Sequence, residues 1–199
     1  MGVFRLDTKT IPNTLGAIEM TSVAQGYVVA DLMLKKAPIT LLDARPYCPG
    51  KFMVLVTGDV SSIEESLKIG KLSAGTSFFA ELFVPQLIPS VIFAINRESK
   101  ITIGESIGIL ESFSALSIID AANEVCKSVD VEVESLSLLE GLGGKAFVIF
   151  TGILANIQSA LEIGIKKIPE DMIVSSQIVS QVSQELLPFL PGSNRHVHG

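Results

Sequence analysis

The chain repeats itself, and this internal repeat constrains the possible folds more than any other feature. Residues in the first part of each copy match at an offset of 92, and after a two-residue insertion the offset becomes 94. The matches at offset 92 are Gly16 with Gly108, Glu19 with Glu111, Ser22 with Ser114, Ala30 with Ala122 and Lys35 with Lys127, and those at offset 94 are Gly50-Lys51 with Gly144-Lys145, Thr57-Gly58 with Thr151-Gly152, and Ile63, Leu67, Ile69 and Gly70 with Ile157, Leu161, Ile163 and Gly164. A run in one register with a single small shift indicates two copies of one supersecondary unit.

Each copy shows the same order of predicted elements: strand, helix, strand, loop, strand, helix, strand and short helix. Ser22 and Gln25 have the spacing of a capping box at the first helix. Ser61 and Glu64 have it at the second helix, which Gly70 is predicted to end. The order favours an α+β fold, in which each copy is a mainly antiparallel four-stranded sheet with helices packed on it.

The repeat also predicts the domain boundaries. We expect an N-terminal arm at 1–13, a first domain at 14–98, a second domain at 103–190 and a C-terminal tail at 191–199. The polar stretch around residues 96–103 separates the two copies, because few contacts cross such a linker.

Composition and charge restrict the cellular location of the protein and the kinds of partner that it can bind. Hydrophobic residues make up 48% of the chain and charged residues only 18%, yet the longest apolar runs are far shorter than the roughly 20 residues of a membrane span. No signal-peptide core is present near the N-terminus. We therefore predict a cytoplasmic protein that buries apolar surface between subunits. The net charge of −6 without a basic stripe disfavours nucleic-acid binding, and two cysteines suggest no disulfide framework.

The two matching loops are the most unusual local sequences. The first is Pro46-Tyr47-Cys48-Pro49-Gly50-Lys51, and the second is Gly141-Leu142-Gly143-Gly144-Lys145. Prolines stiffen the first loop and glycine permits a tight turn, so the loop should display the Cys48 thiol. The second loop matches a degenerate dinucleotide fingerprint, but residues 146–150 are strand-like where that fingerprint requires a helix. We therefore predict a flexible glycine loop there.

Catalysis is disfavoured by the distribution of the histidines. His196 and His198 are the only two, and both lie in the tail. The body of the chain thus lacks a histidine general base, and Cys48 has no evident activating partner. No Ser-His-Asp set, convergent carboxylate pair or zinc spacing is apparent, so we predict that the protein is not an enzyme. A thiol-nucleophile enzyme is the least favoured alternative.

Three motifs carry a resemblance that covers roughly residues 15–190. They are Gly-Ala-Ile-Glu at 16–19, Asp31-x-Met33-x-Lys35-x-Ala37 and Cys48-Pro49-Gly50-Lys51-Phe52. The chain resembles bacterial microcompartment shell proteins of the tandem BMC-domain class, and within them the PduT-type. The resemblance implies a homotrimer that mimics a hexagonal tile (a pseudohexamer) and packs edge to edge with other shell proteins. It also implies that the loop between the second and third strands lies on the central axis, and that Lys35 and Lys127 lie at the tile edge. One departure is that residues 84–89 and 178–183 lack the Pro-Arg-Pro-His edge motif of many members.

The resemblance also implies a cofactor. In PduT-type members, three copies of the loop cysteine hold one iron–sulfur cluster, which predicts Cys48 as the metal ligand of one [4Fe–4S] cluster per trimer. Such a cluster would pass electrons through the shell, with encapsulated redox enzymes as possible partners. The alternative is a plain small-molecule pore lined by unused thiols. Lys51 and Lys145 are either solvated charges or a positive lining, and Tyr47 either covers the cluster or props the loop. Cys126 is predicted to lie in the core.

Overall fold

The computed structural model describes residues 13–95, 104–138 and 143–191. The chain forms two compact units, which meet in sequence at Leu87 and Ile88. In the first unit the elements are β1 (Thr14–Met20), α1 (Val23–Lys36), β2 (Thr40–Tyr47), β3 (Lys51–Gly58), α2 (Val60–Ala74), a 3-10 turn (Gly75–Ser77) and β4 (Phe78–Val84). In the second they are α3 (Pro89–Ile95), β5 (Ser106–Ser112), α4 (Ala115–Ser128), β6 (Glu132–Leu138), β7 (Ala146–Gly152), α5 (Leu154–Ile165), β8 (Ile173–Ser180) and 3-10 turns at Glu170–Met172 and Leu187–Phe189.

The two sheets have the same topology. Strand order is β2-β3-β1-β4 in the first unit and β6-β7-β5-β8 in the second, and every pairing is antiparallel. The predicted α+β fold with two copies of a four-stranded antiparallel sheet is therefore confirmed. The helix α3 follows the first copy in sequence but packs against β6 and α4 of the second unit, where Asn123 Oδ1 accepts the Ile88 N–H at 2.9 Å.

The core of the first unit lies between its sheet and the helices α1 and α2. Ile18 and Met20 on β1 and Val54 and Val56 on β3 point to the helices and are buried. The repeated glycine of the first strand makes this packing possible, because a Cβ on Gly16 would lie 2.7 Å from Ile63 Cγ2. A Cβ on its counterpart Gly108 would lie 2.8 Å from Ile157 Cγ2, so both units rely on the same close approach of helix and sheet.

The ends of α2 differ from the sequence prediction. Asp59 is the N-cap, where its Oδ1 accepts the Ser62 N–H at 2.8 Å, so the prediction of a Ser61 capping box is wrong. The prediction that Gly70 ends the helix is also wrong. Gly70 lies inside α2, where a Cβ would sit 2.9 Å from Met33 Sδ, and the helix ends instead at Gly75, whose φ of +53° favours glycine. The sequence cannot distinguish a capping glycine from a packing glycine.

Within the described ranges, none of the helices combines the length and the apolar character that a span requires.

Candidate functional site

Cys48 lies at the tip of a hairpin between β2 and β3. Tyr47 pairs with Lys51 at the ends of the two strands, so Cys48, Pro49 and Gly50 form a three-residue loop. Gly50 has φ +83° and its N–H donates to the Tyr47 carbonyl at 2.9 Å, a geometry that favours glycine at the end of such a loop. Cys48 is exposed, so this hairpin presents one thiol to the outside of the unit.

The hairpin base is held firmly on the helix-facing side of the sheet. Phe52 follows Lys51, is fully buried, and packs edge-on against Tyr27 with ring centroids 4.7 Å apart. A Cβ on Gly26 of α1 would lie only 2.3 Å from the Phe52 ring. The helix and the ring are thus in close contact, which fixes the start of β3 and with it one arm of the hairpin.

A polar cluster lies on the opposite side of the hairpin base. We call Glu19, Tyr47, Lys51 and Phe79 the hairpin-base cluster. Strand register places Glu19 beside Met53 and Tyr47 beside Lys51, and the alternation of side chains puts Glu19, Tyr47 and Lys51 on the sheet face opposite the helices. Glu19 is 1% exposed, and the Lys51 ammonium lies 3.2 Å from the centroid of the Phe79 ring, as a cation–π contact.

Burial dominates the electrostatics of this cluster. It raises the pKa of the Glu19 carboxyl, and the nearby Lys51 charge offsets part of that rise. Burial and the Glu19 charge together raise the pKa of Tyr47, and burial lowers the pKa of Lys51. The Tyr47 hydroxyl interacts with the Glu19 carboxyl. The pair falls short of full hydrogen-bond geometry, and in the described part of the chain neither that hydroxyl nor Glu19 Oε1 has another partner.

The second loop joins β6 to β7. Gly143 and Gly144 both have positive φ, +62° and +91°, as a glycine turn permits, while Gly141 and Leu142 lie outside the described residues. Lys145 directly precedes β7 and its Nζ lies 2.7 Å from Glu111 Oε1. The amines of Lys51 and Lys145 therefore have defined neighbours in their own units.

Sequence reasoning missed the two glutamates. The repeat matches Glu19 with Glu111 and Lys51 with Lys145. Nothing in the sequence pattern indicates, however, that each glutamate lies near the lysine of its own unit. The register between the first and third strands of each unit makes that connection. One sequence feature could have identified the two glutamates: an acidic residue stands at the same position of a buried strand in both copies. Charged residues rarely lie in such strands unless they are paired.

The remaining predicted site residues lie on helices. Lys35 is in the last turn of α1, exposed and paired with Asp31 one turn earlier, and Lys127 is in the last turn of α4. Cys126 lies beside it, and burial raises the pKa of its thiol to about 11. A thiol with that pKa is protonated at neutral pH and is a poor metal ligand.

A single chain does not contain a complete metal site in its described part. Across residues 13–95, 104–138 and 143–191, no three His, Cys, Asp or Glu side chains lie close enough together to hold a metal ion. Cys48 nevertheless has the chemistry of an iron–sulfur ligand, because it is an exposed sulfur donor on a stiff loop. The residues fit such a cluster only if other copies of the chain contribute further thiolates.

Comparison with known proteins gives the family. The BMC domain matches the chain twice, over residues 14–89 and 106–182. The bacterial microcompartment shell protein PduT of Citrobacter freundii is 30% identical over 149 residues, which are 75% of this chain and 81% of that protein. The carboxysome assembly protein CcmO of Synechocystis sp. is 25% identical over 170 residues, 78% of this chain and 56% of that protein.

A solved structure agrees with the sequence relatives. The crystal structure of a microcompartment protein from Desulfitobacterium hafniense DCB superimposes with a TM-score of 0.81 at 35% identity, covering 87% of this chain and 97% of that one. The sequence repeat, the identical topology of the two sheets and these similarities all indicate the same family. The chain therefore belongs to the BMC-domain family, as a shell component of a bacterial microcompartment in the tandem-domain, PduT-type class.

Proposed function

We propose that this chain forms a homotrimer that tiles the shell, and that Cys48 from three chains binds one [4Fe–4S] cluster at the central axis. Each trimer would be a pseudohexamer of six BMC domains and would pack edge to edge with other shell proteins. The cluster would carry electrons across the shell between encapsulated redox enzymes and the cytoplasm. The protein would be a structural and electron-transfer component without catalytic activity of its own.

The observation that carries this proposal is the placement of Cys48. Its thiol is exposed at the tip of a three-residue loop, and the loop is anchored by buried residues at its base. One chain supplies one such thiol, so a symmetric trimer is the simplest way to bring several together. Three thiolates bind three irons of a [4Fe–4S] cluster, which leaves the fourth iron to a non-protein ligand.

The chain's own residues would serve the bound cluster in two ways. The Cys48 thiolates would hold it, and the positive charges of Lys51 and Lys145 near the hairpins would favour its net negative charge. When bound, the cluster supplies one-electron transfer. Both lysines have a carboxyl neighbour in their own unit: Glu111 Oε1 lies 2.7 Å from Lys145 Nζ, and the Lys51 charge interacts with the Glu19 carboxyl.

Anaerobic reconstitution with iron and sulfide tests the proposal. The wild type should take up iron and turn brown, whereas Cys48→Ser should take up none, because serine is a poor ligand for this soft-sulfur site. Cys126→Ser is the matched control, and it should take up iron as the wild type does because the Cys126 thiol, which is partly buried rather than in the core as predicted, is protonated at neutral pH. Equal uptake by wild type and Cys48→Ser would refute the cluster.

A plain pore is the second candidate, and the open surroundings of the loops favour it. Apart from the adjoining residues, no described atom lies within 4 Å of the Cβ position of Gly50 or Gly143, so both loop tips are open on the surface of their own units. The same reconstitution experiment decides between the two, since a pore of unused thiols predicts no cysteine-dependent iron.

A further inference from the structure

The two units use the duplicated Glu–Lys pair differently. In the second unit, the side chain of Glu111 is 26% exposed and forms an ion pair with Lys145. In the first unit, Glu19 is 1% exposed, and the ammonium of Lys51 lies over the Phe79 ring. Of these two matched glutamates, the fully buried one thus lies in the unit whose loop carries a cysteine.

Tyr47 takes part in the interaction with Glu19 in the first unit. At the repeat offset of 92, the residue that matches Tyr47 is Leu139, which has no hydroxyl to donate. The Glu–Tyr pair is therefore also confined to the cysteine-bearing copy. Burying a carboxyl without a partner is costly, and Tyr47 and Lys51 are the polar side chains that interact with Glu19.

The position of the pair suggests that role. Glu19 lies on β1, an inner strand of the sheet, whereas Tyr47 is the last residue of β2, an edge strand. The register places the two side chains on the same face of the sheet on either side of β3, so a contact between them would join the residue directly before Cys48 to an inner strand. The Tyr47 carbonyl also accepts the Gly50 N–H. A contact that holds the Tyr47 side chain therefore also restrains the loop.

We propose that Glu19 is the positioning residue of the Cys48 site: by holding the Tyr47 hydroxyl, it fixes the hairpin in the orientation that lets three Cys48 thiolates bind one cluster. This inference rests on the proposed cluster for its functional consequence. The anchoring itself is a property of the hairpin and is measurable without iron.

Four variants test the anchor. Tyr47→Phe removes the hydroxyl and Glu19→Ala removes its acceptor, while Glu19→Gln keeps an acceptor oxygen and should behave like the wild type. Glu111→Gln is the matched control in the second unit. In the cluster-free protein, we expect hydrogen exchange in the peptide covering residues 45–52 to accelerate roughly 3-fold in Tyr47→Phe and Glu19→Ala, as for the loss of one weak polar contact between buried groups. The double variant Glu19→Ala with Tyr47→Phe should add nothing further, because both changes break one interaction.

The functional readout is the lifetime of the reconstituted cluster in air. It should shorten by a similar factor in Tyr47→Phe and Glu19→Ala, and remain unchanged in Glu19→Gln and Glu111→Gln. Unchanged exchange and lifetime in Tyr47→Phe would overturn the positioning role, and so would failure of Glu19→Gln to preserve them. If the wild type binds no cluster, the proposed function fails, and the exchange data alone decide whether Glu19 anchors the hairpin.

Discussion

Replacing Ser66 by alanine should stabilise the protein, and the second unit provides the precedent. Ser66 lies in α2 and is fully buried. Within the described ranges, its hydroxyl has no hydrogen-bond partner. The repeat matches Ser66 with Ala160, which is buried at the same place in α5. The second unit thus fills this position with a side chain that has no polar atom.

The magnitude follows from two effects. An unsatisfied buried hydroxyl costs about 1–3 kcal/mol, and serine is less favourable than alanine inside a helix by roughly 0.5 kcal/mol. Removing the hydroxyl oxygen leaves a small unfilled volume, which offsets part of this gain. We therefore expect Ser66→Ala to raise the free energy of unfolding by about 1–2 kcal/mol. For a chain of this length, that corresponds to an increase in Tm of roughly 2–8 °C.

Urea unfolding followed by far-ultraviolet circular dichroism measures the change. Protein concentration must be held constant, because assembly couples stability to concentration. Ala160→Ser is the mirror control and should lower the unfolding midpoint, with an unchanged denaturant slope in both variants. A lower midpoint for Ser66→Ala would refute the reasoning, because it would show that the hydroxyl makes a stabilising contact.

Three further predictions concern the surface and the thiols. Lys35→Ala should leave the trimer intact but weaken sheets in electron micrographs, since its exposed ion pair within α1 stabilises the chain by little; unchanged sheets would refute the edge role. Hydrogen bonds from Ser62 and Ser61 lower the pKa of Asp59 to about 2. Its contribution is therefore present above the unfolded pKa of about 3.9 and is lost as the pH falls towards 2. Asp59→Ala should be less stable than the wild type near neutral pH, and this difference should shrink as the pH falls from about 4 towards 2. A difference of constant size over that range contradicts this assignment. In the cluster-free native chain at about pH 8, iodoacetamide should modify Cys48 alone, because the Cys126 pKa is about 11; mass spectrometry showing two modified cysteines before unfolding would contradict it.

The repeat made most of the fold predictable. Matched glycines, caps and apolar positions in two copies determine the order of the elements, and the Ser22 cap is present as expected, with its hydroxyl accepting the Gln25 N–H at 3.2 Å. The end of α2 was not predictable, because Gly70 makes room for Met33 rather than ending the helix. Sequence periodicity gives the faces of a helix but not which neighbour packs against each face.

The site was predictable only in part. Cys48 and its prolines indicate an exposed thiol on a tight turn, and the structure places it at the hairpin tip. The buried partner Glu19 was not predictable, because it lies almost 30 residues from Tyr47 in sequence and meets it only through the pairing of three strands. Which strands pair with one another is a non-local property, so the sequence around Tyr47 does not indicate Glu19 as its neighbour.

Native mass spectrometry of the anaerobically reconstituted protein tests the central claim most directly, because it counts chains and clusters in the same particle. We predict a trimer that carries the mass of one [4Fe–4S] cluster, and a Cys48→Ser trimer of bare protein mass. The Cys126→Ser control should retain the cluster. A wild-type trimer without added mass, or one cluster bound to each single chain, would contradict a shared cluster held by three Cys48 thiolates.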